Sequence, residues 1–272
     1  MTVGRSYGKQ EGATTSMTTT MDHEGTLPAR SAATIVACLG SSSTAGRGQA
    51  FDWIGELANR PQNKNIVFRN FGVGGDLAYN ALRRVAAVVA SRPTKILVWV
   101  GGNDALAMAS PKLRRFFRFW KHLPRDPSPE WFRESISAIV ERLQKETRAN
   151  VALCSLPPIG EDLSASAPVQ RDINRYVSEC NAIIAAVAHE RALSYLPLNE
   201  AIAAELATLP RKAFTSFALL PFYRDAFRVR VLGRSADDIA EANGWRLHSD
   251  GIHLNRRAGL IVAEIVQGFI DA

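Results

Sequence analysis

The chain is poor in cysteine, has no long apolar run, and lacks the usual nucleotide-binding loops. Only Cys38, Cys154 and Cys180 occur among 272 residues, each in an apolar strand-like or helical stretch. An odd, sparse set of this kind fits reduced thiols and a cytoplasmic setting, not a disulfide framework. There is no Cys-x-x-Cys pair and no His/Cys cluster, so no structural metal is expected. No uncharged apolar run reaches the ~18 residues that span a bilayer. The run Ala32–Leu39 follows Arg30 and resembles a signal-peptide core. No small-residue cleavage site follows it before a Ser/Gly loop, so it reads as a first strand. The dinucleotide fingerprint Gly-x-Gly-x-x-Gly is missing, and the loop Gly40-Ser41-Ser42-Ser43-Thr44 lacks the lysine of a phosphate loop.

The residues present describe an ordinary globular protein, 46% hydrophobic and 22% charged. Its length favours one domain with insertions over two full domains. The net charge of +7 is unevenly placed. Residues 112–125 hold six Lys/Arg and no acid, and residues 211–234 hold six Lys/Arg and one acid. Together these segments carry +11 against a total of +7, which leaves about −4 for the rest of the chain. The basicity therefore belongs to two local patches, which argues against a general nucleic-acid binder.

Residues 1–30 are rich in Thr, Ser, Gly and Met and read as a disordered tail. From Thr34 onward, short apolar runs alternate with helix-length amphipathic segments. Strands are expected at Thr34–Leu39, Ile66–Phe71, Lys95–Val100, Asn150–Cys154 and Leu193–Leu196. Helices are expected at Phe51–Arg60, Leu77–Ala90, Pro129–Arg148, Gln170–Arg191 and Arg256–Ile270. Near-continuous apolar strands alternating with helices imply an α/β fold with a parallel sheet covered on both faces. Two segments break the alternation, at about 108–128 and 201–247, and they coincide with the basic patches. They hold seven of the twelve Phe. Insertions after strand C-termini sit over the active-site edge of an open α/β sheet.

Four stretches carry candidate chemistry. Ser42 lies in a Gly-rich turn after the first strand, where a hydroxyl can project at the sheet edge. A helix N-terminus beside it would favour a developing oxyanion. A free hydroxyl is a weak nucleophile and needs a base. His253 is the candidate base, with Asp250 to hold its tautomer and stabilise the imidazolium. Taken alone, each feature also reads as a common Ser/Thr cap or Asp-Gly turn. Asn70-Phe71-Gly72-Val73-Gly74-Gly75-Asp76 follows the second strand, and its glycines allow a backbone N–H to approach a ligand. Gly101-Gly102-Asn103-Asp104 follows the third strand and brings the Asn103 amide to the same edge, unless Asn103 or Asp104 merely caps a helix.

Taken in order, these stretches resemble the sequence blocks of the SGNH hydrolases, also called the GDSL esterase/lipase family. Gly40 to Thr44 resembles the block Gly-Asp-Ser-x-Thr, which places the nucleophile on Ser42, although Ser41 replaces the usual Asp. Asn70, Gly72 and Gly75 match Asn-x-Gly-x-x-Gly, Gly101 to Asp104 match Gly-x-Asn-Asp, and Asp250 and His253 match Asp-x-x-His. The resemblance covers about Thr34 to Ile270. It implies a three-layer α/β/α sandwich with a five-stranded parallel sheet of flavodoxin-like order, in a single domain spanning 31–272. It also implies a serine esterase or lipase that forms an acyl-enzyme on Ser42, with Asp250 and His253 completing the triad. The oxyanion hole would be the N–H groups of Ser42 and Gly75 and the amide of Asn103. No cofactor or metal is needed.

Two other readings use the same residues. An acyltransferase or thioesterase would share the triad, and a non-catalytic nucleotide- or phosphate-binding module would draw on the Gly72–Gly75 loop alone. Expected partners are small-molecule or lipid-like esters, with acetyl-carbohydrate, short-chain acyl and lysophospholipid substrates all open. In residues 112–125, Leu113, Phe116, Phe117, Trp120 and Leu123 form an apolar stripe bordered by cations. That pattern fits either a helical cap packed on the second insertion or a peripheral contact with anionic membrane. No stacking-platform motif accompanies it, so nucleic acid is not an expected partner. Oligomeric state is not readable from the sequence.

Overall fold

The computed structural model describes residues 33–48, 50–164, 167–215 and 235–272. The expected disordered tail at 1–30 lies outside the described residues, as do residues 216–234 of the second basic segment. Strands β1 (Thr34–Gly40), β2 (Ile66–Gly72), β3 (Lys95–Trp99), β4 (Asn150–Cys154) and β5 (Ser194–Leu196) form one sheet in the order β2-β1-β3-β4-β5. Every pairing is parallel. β1 is an interior strand between β2 and β3, and its Val36, Ala37 and Leu39 are wholly buried because helices cover both faces of the sheet.

Among the described residues the α-helices are α1 (Ser42–Ala45), α2 (Trp53–Ala58), α3 (Ala78–Leu82), α4 (Val85–Ala90), α5 (Gly102–Ala109), α6 (Pro111–Trp120), α7 (Pro129–Glu146), α8 (Pro168–Glu190), α9 (Leu198–Leu206), α10 (Ala236–Asn243) and α11 (Arg256–Asp271). On one face α11 packs against α2, α9 and β5; on the other α7 lies against α3, α4 and α8, and α8 against α5. This is the expected three-layer α/β/α arrangement. The long helices follow their sequence signals. Ser128 accepts a hydrogen bond from the Trp131 N–H, Pro129 occupies the first turn of α7, and Trp131, Phe132, Ile136, Ile139, Val140 and Leu143 bury one face.

The expected continuous helix at Leu77–Ala90 is instead two short helices broken at Arg83 and Arg84. At the break the backbone closes shorter turns, with the Arg84 N–H donating to the Ala81 carbonyl (2.9 Å) and the Ala87 N–H to the Arg84 carbonyl (3.1 Å). The Arg84 guanidinium turns inward and donates to the Phe71 carbonyl (2.7 Å), the Gly40 carbonyl (3.2 Å) and the Asp76 carboxylate (2.9 Å). It thereby ties together the C-terminal ends of β1 and β2. Strand order reverses between β1 and β3, and in open α/β sheets that switch point is where ligands bind. Ser42 follows β1 directly, so the topology alone delivers it there.

Candidate active site

Ser42 is the first residue of the four-residue helix α1, not part of an open turn as expected. Its Oγ lies 2.9 Å from His253 Nε2, across 211 positions of sequence. His253 Nδ1 lies 2.8 Å from Asp250 Oδ2. The other Asp250 oxygen accepts the N–H groups of Ile252 (2.9 Å) and His253 (2.8 Å), which fixes the turn that carries the imidazole. Asp250 therefore does not cap the last helix; Asn255 does, accepting from the Ala258 N–H. Of the three consecutive serines, Ser42 is the one whose hydroxyl meets the imidazole.

Helix α1 is too short to hold itself in place. Asn70 donates to the Thr44 carbonyl (2.9 Å) and accepts from the Gly72 N–H (2.8 Å), and Trp53 Nε1 donates to the Ser43 carbonyl (2.9 Å). A Cβ on Gly72 would fall 2.2 Å from the Ala45 nitrogen, so only glycine lets β2 approach α1 this closely. The Asn and the first Gly of the second block thus hold the helix that carries Ser42.

Asn103, on the first turn of α5, donates to the Asp76 carbonyl at 2.9 Å. A primary amide has two N–H groups, so one remains for a ligand. Gly75 has φ +76, and a side chain there would strike the ring of Trp120. Among the described residues, the backbone N–H groups of Ser42 and Gly75 have no hydrogen-bond partner. Neither Asn103 nor Asp104 caps α5, whose N-cap is Gly101. Asp104 instead reaches across to accept the Ala78 N–H at 3.1 Å, and burial pushes its carboxyl up to about 7.

Asp250 and His253 shift each other's titration. Burial alone would raise the Asp250 carboxyl, but the His253 charge and hydrogen bonds from His253 and Ile252 hold it below the ordinary carboxylate range. Burial alone would lower the His253 imidazole, but the Asp250 charge and hydrogen bond outweigh it and hold the ring above its ordinary value. Beside Ser42 opens a cavity of about 50 Å³, walled by Trp99, Leu106, Leu156, Ile159, Val177 and Ile252.

The sequence reading missed two groups near the site. Asp76 is buried and ion-paired to both Arg84 (2.8 Å) and Lys121 (2.9 Å), and Lys121 also donates to the Gly74 carbonyl (2.6 Å). The end of α6 therefore sits on the Gly72–Asp76 loop. The second group is the buried pair Glu161 and His248. The one available signal for it was a second histidine, two residues before Asp250. The expected apolar stripe on α6 splits between two faces. Phe117 and Leu123 are buried, whereas Phe116 and Trp120 are exposed; Phe119, which lies off the stripe, is 87% exposed. Among the described residues, no group of His, Cys, Asp and Glu could hold a metal ion, and no helix is long and apolar enough to cross a membrane.

Solved structures with this fold include an acetyl xylan esterase, AlAXEase (18% identity, TM-score 0.56, 87% of this chain and 99% of that one). A lipase/acylhydrolase from Enterococcus faecalis matches at 16% identity and TM-score 0.54, over 87% of this chain and 95% of that one. Axe2, an acetylxylan esterase from Geobacillus stearothermophilus, matches at 14% identity and TM-score 0.58, over 86% and 93%. No curated protein matches the chain by sequence. Residues 38–258 match the GDSL-like lipase/acylhydrolase family model, so the chain belongs to that family and is a carboxylic ester hydrolase.

Proposed function

We propose that the protein hydrolyses esters of short acyl groups through an acyl-enzyme on Ser42. The observation that carries this reading is the unbroken line Ser42 Oγ–His253 Nε2 and His253 Nδ1–Asp250 Oδ2, at 2.9 and 2.8 Å. Ser42 Oγ attacks the acyl carbonyl as His253 takes its proton. The tetrahedral oxyanion is held by the N–H groups of Ser42 and Gly75 and the free N–H of Asn103. His253 then protonates the leaving alcohol. A water molecule, deprotonated in turn by His253, attacks the acyl-enzyme and releases the acid. Turnover of nitrophenyl acetate by Ser42→Ala at the wild-type rate would refute the assignment.

The size of the cavity supports a small acyl group. About 50 Å³ leaves room for roughly four water-sized groups, which suits acetyl to butyryl chains and not the chain of a lysophospholipid. The names of AlAXEase and Axe2 as acetyl xylan esterases agree with a small acyl group. A series of nitrophenyl esters from acetate to octanoate should show kcat/KM falling beyond butyrate; a maximum at octanoate would contradict the reading. An acyltransferase or thioesterase would use the same residues, and product analysis with added alcohol acceptors separates them. Membership of an ester-hydrolase family sets aside the non-catalytic phosphate-binding module.

The outer face of α6 supports a peripheral contact with anionic membrane. Lys112, Arg115, Phe116 and Phe119 recur at helical spacing on this exposed face, with Trp120 beside them. Absence of sedimentation with anionic vesicles at low salt would eliminate it. The three buried free thiols support a cytoplasmic setting.

A further inference from the structure

Glu161 and His248 are almost wholly sealed from solvent, at 1% and 0% exposure, and the mechanism above uses neither. Glu161 belongs to the connection between β4 and α8, far in sequence from the loop it contacts. Its Oε1 accepts the N–H groups of Arg246 (2.9 Å), Leu247 (2.7 Å) and His248 (2.9 Å), and Oε2 accepts Arg246 as well (2.8 Å). His248 Nδ1 lies 3.1 Å from the same Oε1, and its Nε2 lies 3.1 Å from the Pro158 carbonyl. Both ring nitrogens of His248 therefore face oxygen atoms, one from a carboxylate and one from a carbonyl, inside the protein.

The three N–H groups belong to the chain that leads into the His253 loop. His248 bridges Leu254 in an antiparallel pair, the Ser249 N–H donates to the His253 carbonyl (2.8 Å), and the Asn255 N–H donates to the Leu247 carbonyl (2.9 Å). Asp250 and His253 thus sit on a hairpin whose incoming arm ends on one carboxylate. The next residue toward β4 adds a further tie, from the Gly160 N–H to the Gly251 carbonyl (2.9 Å). An unpaired carboxylate in this position would be costly. Burial alone would raise the Glu161 carboxyl, but His248 and the backbone N–H groups hold it below the ordinary range.

We propose that Glu161, paired with His248, is a positioning residue for the general base: it fixes the arm that sets His253 Nε2 against Ser42 Oγ. The proposal rests on the Ser42–His253–Asp250 reading. A displacement of about 1 Å at a reacting group costs on the order of 10²-fold in rate.

The test compares Glu161→Ala and Glu161→Gln with wild type on nitrophenyl acetate, counting active sites by fluorophosphonate labelling. Gln keeps an oxygen for the backbone N–H groups but loses the charge that pairs with His248. Glu161→Ala should lose about 10²-fold in kcat per labelled site with KM within about threefold, and Glu161→Gln should fall between it and wild type. The acid limb of kcat/KM should also move toward the ordinary histidine range of ~6.5 as Asp250 and His253 lose register. A merely structural role would lower the labelled fraction and leave kcat per site and the acid limb unchanged, and that result overturns the proposal. If Glu161→Ala does not fold, the Gln variant decides by the same two readouts. Ser42→Ala, assayed alongside, separates the failures: if it stays active the triad reading itself falls, whereas an inactive Ser42→Ala with unperturbed Glu161 variants sinks the positioning role alone.

Discussion

The loop at 246–255 takes part in two imidazole–carboxylate pairs with similar bonds and different surroundings. His253 meets Asp250 at 2.8 Å, with side chains 12% and 9% exposed, and its far nitrogen faces the Ser42 hydroxyl. His248 meets Glu161 at 3.1 Å with both side chains wholly buried, and its far nitrogen faces the Pro158 carbonyl. A hydroxyl can give up a proton and a carbonyl has none to give. The first ring therefore faces a group able to exchange a proton, while the second faces only oxygen acceptors. The partner of the second nitrogen, more than the carboxylate, separates the proposed catalytic histidine from the buried one.

Removing each member should sharpen that contrast. His253→Ala should lower kcat by on the order of 10⁶ while changing the melting temperature little, measured by nitrophenyl acetate turnover and thermal unfolding. Asp250→Asn should cost about 10⁴ in kcat. It should also shift the pH profile. The neutral imidazole is the base, and Asp250 raises its pKa, so wild-type activity should fall as pH drops through a midpoint above ~6.5. Asp250→Asn should move that midpoint down; a midpoint unchanged in the variant would detach Asp250 from His253.

His248→Ala should invert the pattern and act chiefly on stability, at about 3–5 kcal/mol in denaturant titrations, because it leaves Glu161 charged and buried. The Glu161 carboxyl is depressed in the folded state, so its contribution is fully present above its unfolded value of ~4.3 and is lost as pH falls through the folded value. Wild type should therefore lose stability below about pH 4 more steeply than His248→Ala. Asn103→Ala touches neither pair and should cost roughly 10²–10³ in kcat with little change in the acid limb. An acid limb that moved in Asn103→Ala would mean that the oxyanion side and the base are coupled.

Much of this was legible in the chain because its signals are local. Buried parallel strands need unbroken apolar runs, so β1, β3 and β4 could be read within a residue or two. Ser42, Asp250 and His253 could be proposed together because each lies in a short turn-forming block, and the fold brings the three within hydrogen-bond reach. What escaped reading depends on contacts across the fold. The helical periodicity of Leu77–Ala90 gave no hint that Arg84 would turn inward to three acceptors on other segments. Glu161 and His248 lie 87 positions apart, and neither belongs to a recognisable block. Phe116 and Phe117 both belong to the apolar stripe, yet one is exposed and the other buried.

The acyl-enzyme can be captured by mixing intact protein with nitrophenyl acetate at low pH, quenching within the burst, and mapping the peptides by mass spectrometry. The account predicts an acetyl group on Ser42, absent from Ser42→Ala and strongly reduced in His253→Ala. An acetyl group on Ser41 or Ser43, or a burst that survives in Ser42→Ala, would contradict it.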